Sequence, residues 1–391
     1  MKVNSRQTNS KHKNEHRKMK IFISAGDPSG DLHGVNLLRE IKIQDPNVEI
    51  CGFGGSKMAT AGANIFDKIA DSSIIGFWEP LKNIARLKKN FDLAEKFFIK
   101  EKPAGLILID YYGYNIHLAK LAKKYKIPVI YYISPQVWAT RKGRVQKIKE
   151  FVKKVLVIFP FEKKIYEKAG VSCEFVGHPL LDIIPHSSIN PFTHSFTIGL
   201  MPGSRIQEIN KHFVPFYEAF VKINKVFPDI KAIIPVFSDK IKEYLINNFK
   251  LDEMKVEFVV HDNYEKRSKM ILCITSSGTA TVENMILGIP MVISYRTSWL
   301  TYQIAKRLIN VKFIGMPNIL AGRAICPELI QNDLTADKIS EKCLEILKNR
   351  QVLAKMKSDL AETKQKLGEL SIAGYGITKR VASIILEAFH V

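Results

Sequence analysis

What this chain lacks narrows its class first. No apolar run approaches the ~18 residues needed to cross a bilayer, so no membrane-spanning helix is expected. The five cysteines, Cys51, Cys173, Cys273, Cys326 and Cys343, are odd in number, scattered and without metal-ligand spacing. That argues against a disulfide framework and for a reducing compartment. Acids are scarce: 38 Asp and Glu face 59 Lys and Arg, for a net charge of +21. Such a field favours anionic partners such as nucleic acid, acidic lipid or a phosphorylated substrate, although a general lysine bias contributes to it. The first twenty residues carry seven Lys and Arg and one acid. They lack the apolar segment of a secretory signal, and 1–19 read as a disordered basic extension with Met19 as an alternative start. Subtracting their net +6 from +21 still leaves +15.

What is present is a regular alternation. At 391 residues, 46% of them hydrophobic, the chain exceeds one ordinary core, and two domains are expected. Apolar runs predict strands at 20–24, 48–52, 105–109, 129–133 and 155–158, with helices between them, as at 32–43 and 116–125. The periodicity stops near 185–191, where Pro, Ser, His and Asn accumulate as in a linker. A second series follows at 197–201, 231–236, 256–261, 270–274 and 291–294. The fold class is therefore α/β: two doubly wound, Rossmann-like domains with parallel sheets, at 20–188 and 192–370. Ligands bind such sheets at the carboxyl ends of the strands, so the cleft between the domains is the expected site. The last segment, 371–391, reads as a helix that crosses back onto the first domain or is exchanged in a homodimer.

Four strand ends carry the chemistry. Ser276-Ser277-Gly278-Thr279-Ala280 lies between an apolar run and a helical pattern. A small-residue turn opening a helix aims free N–H groups at a phosphate, and Glu283, one turn in, is placed to accept hydrogen bonds from a ribose. The other reading is an ordinary helix cap. Pro202-Gly203-Ser204-Arg205 follows the first strand of the second domain, where Arg205 either grips a phosphate or pairs with Glu208. In the first domain Gly26-Asp27-Pro28-Ser29-Gly30-Asp31 follows strand one, and Ser29 or Asp31 is placed to cap the next helix. Asp110 ends the run Leu106–Ile109. A carboxylate there is partly desolvated, which suits a general base, although a helix cap accounts for the position equally well. His33, His117 and His178 are the competing bases.

A different signal lies at 77–102. Phe77, Trp78, Leu81, Ile84, Leu87, Phe91, Ala94, Phe97 and Phe98 follow helical spacing, with Lys82, Arg86, Lys88, Lys89, Lys96 and Lys100 among the rest. This is the pattern of a helix on an anionic membrane surface, with Trp78, Leu81 and Phe91 as contacts. A helix facing its own core has the same stripe.

Taken together, these motifs resemble the lipid A disaccharide synthase family of GT-B glycosyltransferases. The resemblance runs from about Lys20 to the C-terminus. It rests on Ser29-Gly30-Asp31, Gly54-Gly55-Ser56-Lys57-Met58, Ser134-Pro135-Gln136-Val137-Trp138, Gly177-His178-Pro179 and Pro202-Gly203-Ser204-Arg205. Ser277-Gly278-Thr279-Ala280 with Glu283, Asn318-Ile319-Leu320-Ala321-Gly322-Arg323 and Pro327-Glu328-Leu329 complete it. It implies an inverting transfer from UDP-2,3-diacylglucosamine to 2,3-diacylglucosamine 1-phosphate, on the cytoplasmic face of a Gram-negative inner membrane. Asp110 then matches the base, and Arg205 and Asn318 match residues linked to activity. Gly203, Ser204, Ser277, Gly278, Thr279 and Glu283 fall on the UDP side, and Ser29, Gly30 and Asp31 on the acceptor side. The resemblance implies no metal and no other cofactor.

Two departures matter. The family's Ile-Asp-x-Pro-Asp-Phe-Asn is here Ile109-Asp110-Tyr111-Tyr112-Gly113-Tyr114-Asn115, without the second carboxylate. Its Ala-Gly-Glu is Ala25-Gly26-Asp27. Among rival readings, another GT-B lipid-acceptor transferase leaves the Ser134–Trp138 and Asn318–Arg323 motifs unexplained. No nucleic-acid module is recognisable, so nucleic acid is not an expected partner. A non-catalytic membrane scaffold leaves Asp110 without a role.

Overall fold

The computed structural model describes residues 18–72, 80–135, 143–185, 196–297 (except 237, 253, 261 and 262), 312–368 and 376–390. The expected linker at 185–191 lies almost wholly outside them. Two all-parallel sheets organise the chain. The first joins β1 (Lys20–Ala25), β2 (Glu49–Phe53), β3 (Asn64–Asp67), β4 (Gly105–Ile109), β5 (Val129–Tyr132), β6 (Lys154–Val157) and β7 (Cys173–Phe175), in the order 3-2-1-4-5-6-7. The second joins β8 (Thr197–Met201), β9 (Lys231–Val236), β10 (Val256–Val260), β11 (Leu272–Thr275), β12 (Met291–Tyr295) and β13 (Glu328–Ile330), in the order 10-9-8-11-12-13.

Both orders reverse direction once, between β1 and β4 and between β8 and β11. Register then decides what meets at each reversal. Ala25 pairs with Ile109, so Asp27 and Asp110 leave adjacent strand ends. Met201 pairs with Thr275, so the 202–205 and 276–279 turns do likewise. A crevice forms at such a switch because the two connections run to opposite faces of the sheet.

The central strands are apolar throughout because helices cover both their faces. On β1, Ile21 and Ile23 point to one side and Phe22 to the other. Phe22 sits among Phe53, Phe97 and Phe98, with ring centroids 5.4, 5.4 and 5.1 Å away. This corrects the membrane reading at Phe91 of the basic aromatic helix, Pro80–Glu101. Its Phe97 and Phe98 pack on Phe22, and half-buried Phe91 lies 4.9 Å from the Tyr114 ring. Lys88, Lys89, Lys96 and Lys100 face outward, while Arg86 donates from Nε to Asp67 at 2.7 Å. From Phe91 onward the stripe is core. Trp78 and the side chain of Leu81 lie outside the described residues.

The last helix, Ile377–Phe389, packs on the Pro28–Gln44 helix of the first domain. Asp182 accepts its first N–H groups, from Ile377 at 3.0 Å and Thr378 at 2.7 Å. Ser383 Oγ donates to Gln44 at 2.9 Å. Phe389 lies against Gly105, where any Cβ would collide with the ring.

Candidate functional site

The two switch points face one cleft of about 480 Å3, lined from the first domain by Asp27, Ser29, His33, Lys57 and Asp110 among others. From the second domain come Gly203, Ser204, Arg205, the 276–280 turn, Arg267 and Glu283. Pro235 and Val236, at the end of β9, add an apolar wall.

On the first wall, the cap of the Pro28–Gln44 helix is Asp27, not Ser29 or Asp31. Its Oδ1 accepts the Gly30 N–H at 2.6 Å, and Pro28 occupies the first helical position,. Ser29 lines the cleft and Gly30 is buried. Asp31 is buried away from the cleft and accepts N–H groups from Gly55, Lys57 and Met58 at 2.8, 3.1 and 3.2 Å. It ties this helix to Ser56–Thr60, a structural role in place of the expected acceptor contact.

Asp110 and Tyr111 are consecutive non-glycine residues with positive φ, 44° and 48°, a conformation held only where surroundings over-determine it. Here they do. The Asp110 N–H donates to Ile133 O at 3.1 Å. Its carbonyl accepts from Asn115 Nδ2 at 2.8 Å and from Tyr131 Oη at 2.6 Å. Asn115 is itself fixed by Ser24 Oγ, 2.7 Å from its Oδ1. Tyr111 lies over Gly26, where a Cβ would fall 2.1 Å from the ring,. At Gly113, where the family's second carboxylate stands, a Cβ would meet nothing within 4 Å. The Asp110 carboxyl, desolvated by burial and repelled by Asp27, is raised to about 7, with the Tyr111 N–H and Arg205 acting in the opposite direction.

On the second wall, Glu208 closes the 202–205 loop, accepting the Ser204 N–H at 3.2 Å. Gly203, at φ 130°, leaves room for that carboxylate. Arg205 stands 3.7 Å from Glu208 with its side chain 60% exposed. Below the loop, His212 bridges two strand ends. Its Nε2 accepts the Arg296 N–H at 3.0 Å, so Nδ1 carries the proton and donates to Pro202 O at 2.7 Å. The Thr279–Ile286 helix begins at Gly278, which has no side chain to cap it, leaving its first N–H groups to a ligand. Ser277 Oγ is held by Ile314 O at 2.8 Å.

Glu283 differs from the simple expectation. Its oxygens already receive Tyr264 Oη at 3.1 Å and Arg267 Nη2 at 2.9 Å, with the Arg267 and Glu283 side chains only 4% and 7% exposed. Asn318 is not brought into the cleft. Its Nδ2 donates to Cys326 O and Glu328 Oε1, both at 2.8 Å. Its Oδ1 accepts from the Ile325 and Cys326 N–H groups at 2.8 and 2.9 Å. All four hydrogen-bonding positions are filled by the 325–328 segment. Arg323, from the same motif, grips Asp359 with both Nη atoms at 3.0 and 2.9 Å. Of the rival bases, His33 lines the cleft, while His178 is buried beside it and accepts the Leu180 N–H at 3.3 Å. Burial lowers both, to about 4 and about 3. His117 is exposed and lies against Phe91. Among the described residues, no group of three His, Cys, Asp or Glu side chains stands where it could hold a metal. Sequence reasoning missed Arg267 and the Asn115–Tyr131 clamp and gave Lys57 no role; Asn115 and Lys57, each within a quoted motif, carried some signal.

The model of a family described as lipid-A-disaccharide synthetase matches residues 21–375. Lipid-A-disaccharide synthase of Geobacter sulfurreducens is 38% identical over 381 residues, covering 95% of this chain and 98% of that one. The Coxiella burnetii enzyme is 33% identical over 379 residues, covering 94% and 99%. Solved structures with the same fold include an S. aureus MnaA–UDP complex, with a TM-score of 0.65 at 11% identity over 94% and 96% of the chains. A UDP-GlcNAc 2-epimerase from Neisseria meningitidis bound to UDP-GlcNAc scores 0.61 at 12% identity, over 94% and 99%. The fold is GT-B, and the chain belongs to the lipid-A-disaccharide synthase family, glycosyltransferases of lipid A biosynthesis.

Proposed function

We propose that the chain is an inverting transferase joining UDP-2,3-diacylglucosamine to 2,3-diacylglucosamine 1-phosphate, with the β-1,6-linked disaccharide 1-phosphate and UDP as products. The observation that carries this reading is Asp110. Its carboxyl, raised to about 7 by burial and the Asp27 charge, lines the same cleft as an uncapped helix N-terminus and Arg205. Asp110 takes the proton of the acceptor's 6-hydroxyl as that oxygen attacks the donor's anomeric carbon. The new C–O bond forms on the face opposite the breaking bond to the UDP oxygen, so one displacement inverts the centre. Arg205 and the N–H groups of Ser277, Gly278 and Thr279 stabilise the charge developing on the departing diphosphate. Pro235 and Val236 offer an apolar wall to the base. Glu283, with about two of its four acceptor positions filled, remains open to a ribose hydroxyl,. Asn318 acts through the segment it braces rather than by contact.

The lipid substrates and the +15 charge of residues 21–391 support peripheral attachment to the cytoplasmic face of the inner membrane, through the segment around Trp78 and Leu81. UDP release that requires both acylated substrates, with disaccharide as the co-product, tests the reaction. UDP release with a different lipid acceptor only would favour another GT-B transferase.

A further inference from the structure

The proposed donor occupies the second wall and leaves part of the first unassigned. Ser29 and His33 lie one turn apart on the Pro28–Gln44 helix, and Lys57 comes from the Ser56–Thr60 helix. All three line the cleft. Asp31 fixes the two helices to each other through its three backbone contacts. His33 is 5% exposed, and its Nδ1 has no partner among the described residues. Burial, with the Lys57 charge adding to it, holds its imidazole neutral. Asp27 takes the Gly30 N–H and Pro28 has none, so side chains supply most of the donors on this wall.

We propose that Ser29, His33 and Lys57 form the subsite for the acceptor's phosphate, a phosphomonoester on the anomeric carbon of an acylated amino sugar. This rests on the reaction assigned above. An ammonium, a hydroxyl and a neutral imidazole suit a phosphomonoester in charge and in donors. The imidazole keeps its single N–H throughout the neutral range, so the grip does not weaken as pH rises. The carboxylates of the same wall, Asp27 and Asp110, repel an anion placed beside them, which directs the phosphate to the Lys57 end. The 6-hydroxyl, across the sugar ring from that phosphate, then reaches towards Asp110.

The experiment compares kcat/KM for 2,3-diacylglucosamine 1-phosphate and for the same acceptor without its phosphate, in the full chain. The wild type is expected to prefer the phosphorylated acceptor by about ten- to a hundredfold, the size of one charge-assisted contact. Lys57→Ala should lose most of that preference through a higher acceptor KM, with donor KM unchanged, and Lys57→Arg should restore it. Lys57 is exposed, so these variants should keep the wild-type melting temperature. His33→Gln, which keeps an N–H donor, should retain more of the preference than His33→Leu. Undiminished preference in Lys57→Ala, or a change confined to donor KM, overturns the subsite while leaving the reaction standing. A wild type that transfers to neither acceptor overturns both.

Discussion

Asp27 and Asp110 leave the ends of adjacent paired strands, and the charge of the first adds to burial in holding a proton on the second up to about pH 7. A base must be deprotonated, so kcat/KM is expected to rise with pH through about 7. Asp27→Asn keeps a good helix cap but removes the repelling charge. Its pH profile should shift to lower pH; an unmoved profile would show that Asp27 does not tune the base.

The donor wall separates two kinds of contact. Arg205→Ala removes an exposed charge and should weaken donor use by ~1.5–3 kcal/mol, about one to two decades, with little change in stability. Glu283→Ala instead leaves Arg267 buried without its carboxylate and should cost ~3–5 kcal/mol of stability as well as donor affinity. Urea titration alongside donor kinetics checks both. A Glu283 variant of wild-type stability would contradict the buried ion pair.

The depressed histidines predict acid sensitivity. Neutral His33 and His178, at about 4 and 3 when folded, contribute stability that is complete above the unfolded value near 6.5. It is lost as pH falls towards 3, by up to ~1.4 kcal/mol per pH unit for each group. His212 is also lowered, by burial. Asp110 has the opposite sign: its raised value lowers stability as pH rises from 3.8 to about 7. Asp110→Asn should therefore be more stable than wild type above pH 7, as Asn also tolerates positive φ. Denaturation midpoints from pH 4 to 8 test each sign.

Phe91 and Asn318 are predicted to act through stability. Phe91→Ser removes a half-buried ring from the core face and should cost about 1–2 kcal/mol without altering membrane partitioning. Asn318→Ala strands two N–H groups and should cost at least ~2 kcal/mol. Melting curves and flotation with anionic vesicles separate these effects. A Phe91→Ser protein of unchanged stability that no longer floats would return this residue to the membrane surface.

The central strands were legible because burial on both faces leaves an unbroken apolar run: 105–109, 197–201 and 231–236 match β4, β8 and β9. The strands β3, β7 and β13 were not. Each has three or four residues at a sheet edge and is only partly buried, so neither length nor hydropathy marks it. The Pro28–Gln44 helix begins four residues before the expected position because Asp27 caps it ahead of the first apolar residue. Asp110 and the 276–279 turn were legible because they adjoin those runs. Arg267, and the place of the motif residue Lys57, were not, because only tertiary packing carries them into the cleft. At Phe91, periodicity reported a buried face but not what covers it. At Asn318, a motif identified the residue but not its place.

Turnover of Asp110→Asn, measured at saturating donor and acceptor with UDP affinity determined in parallel, tests the central claim most directly. Asn preserves the shape and can keep the clamp made by Asn115 and Tyr131, but it cannot take a proton. Turnover should fall ~10²–10⁴-fold while UDP affinity and folding persist. Near-normal turnover in that variant would contradict the assignment of Asp110 as the base.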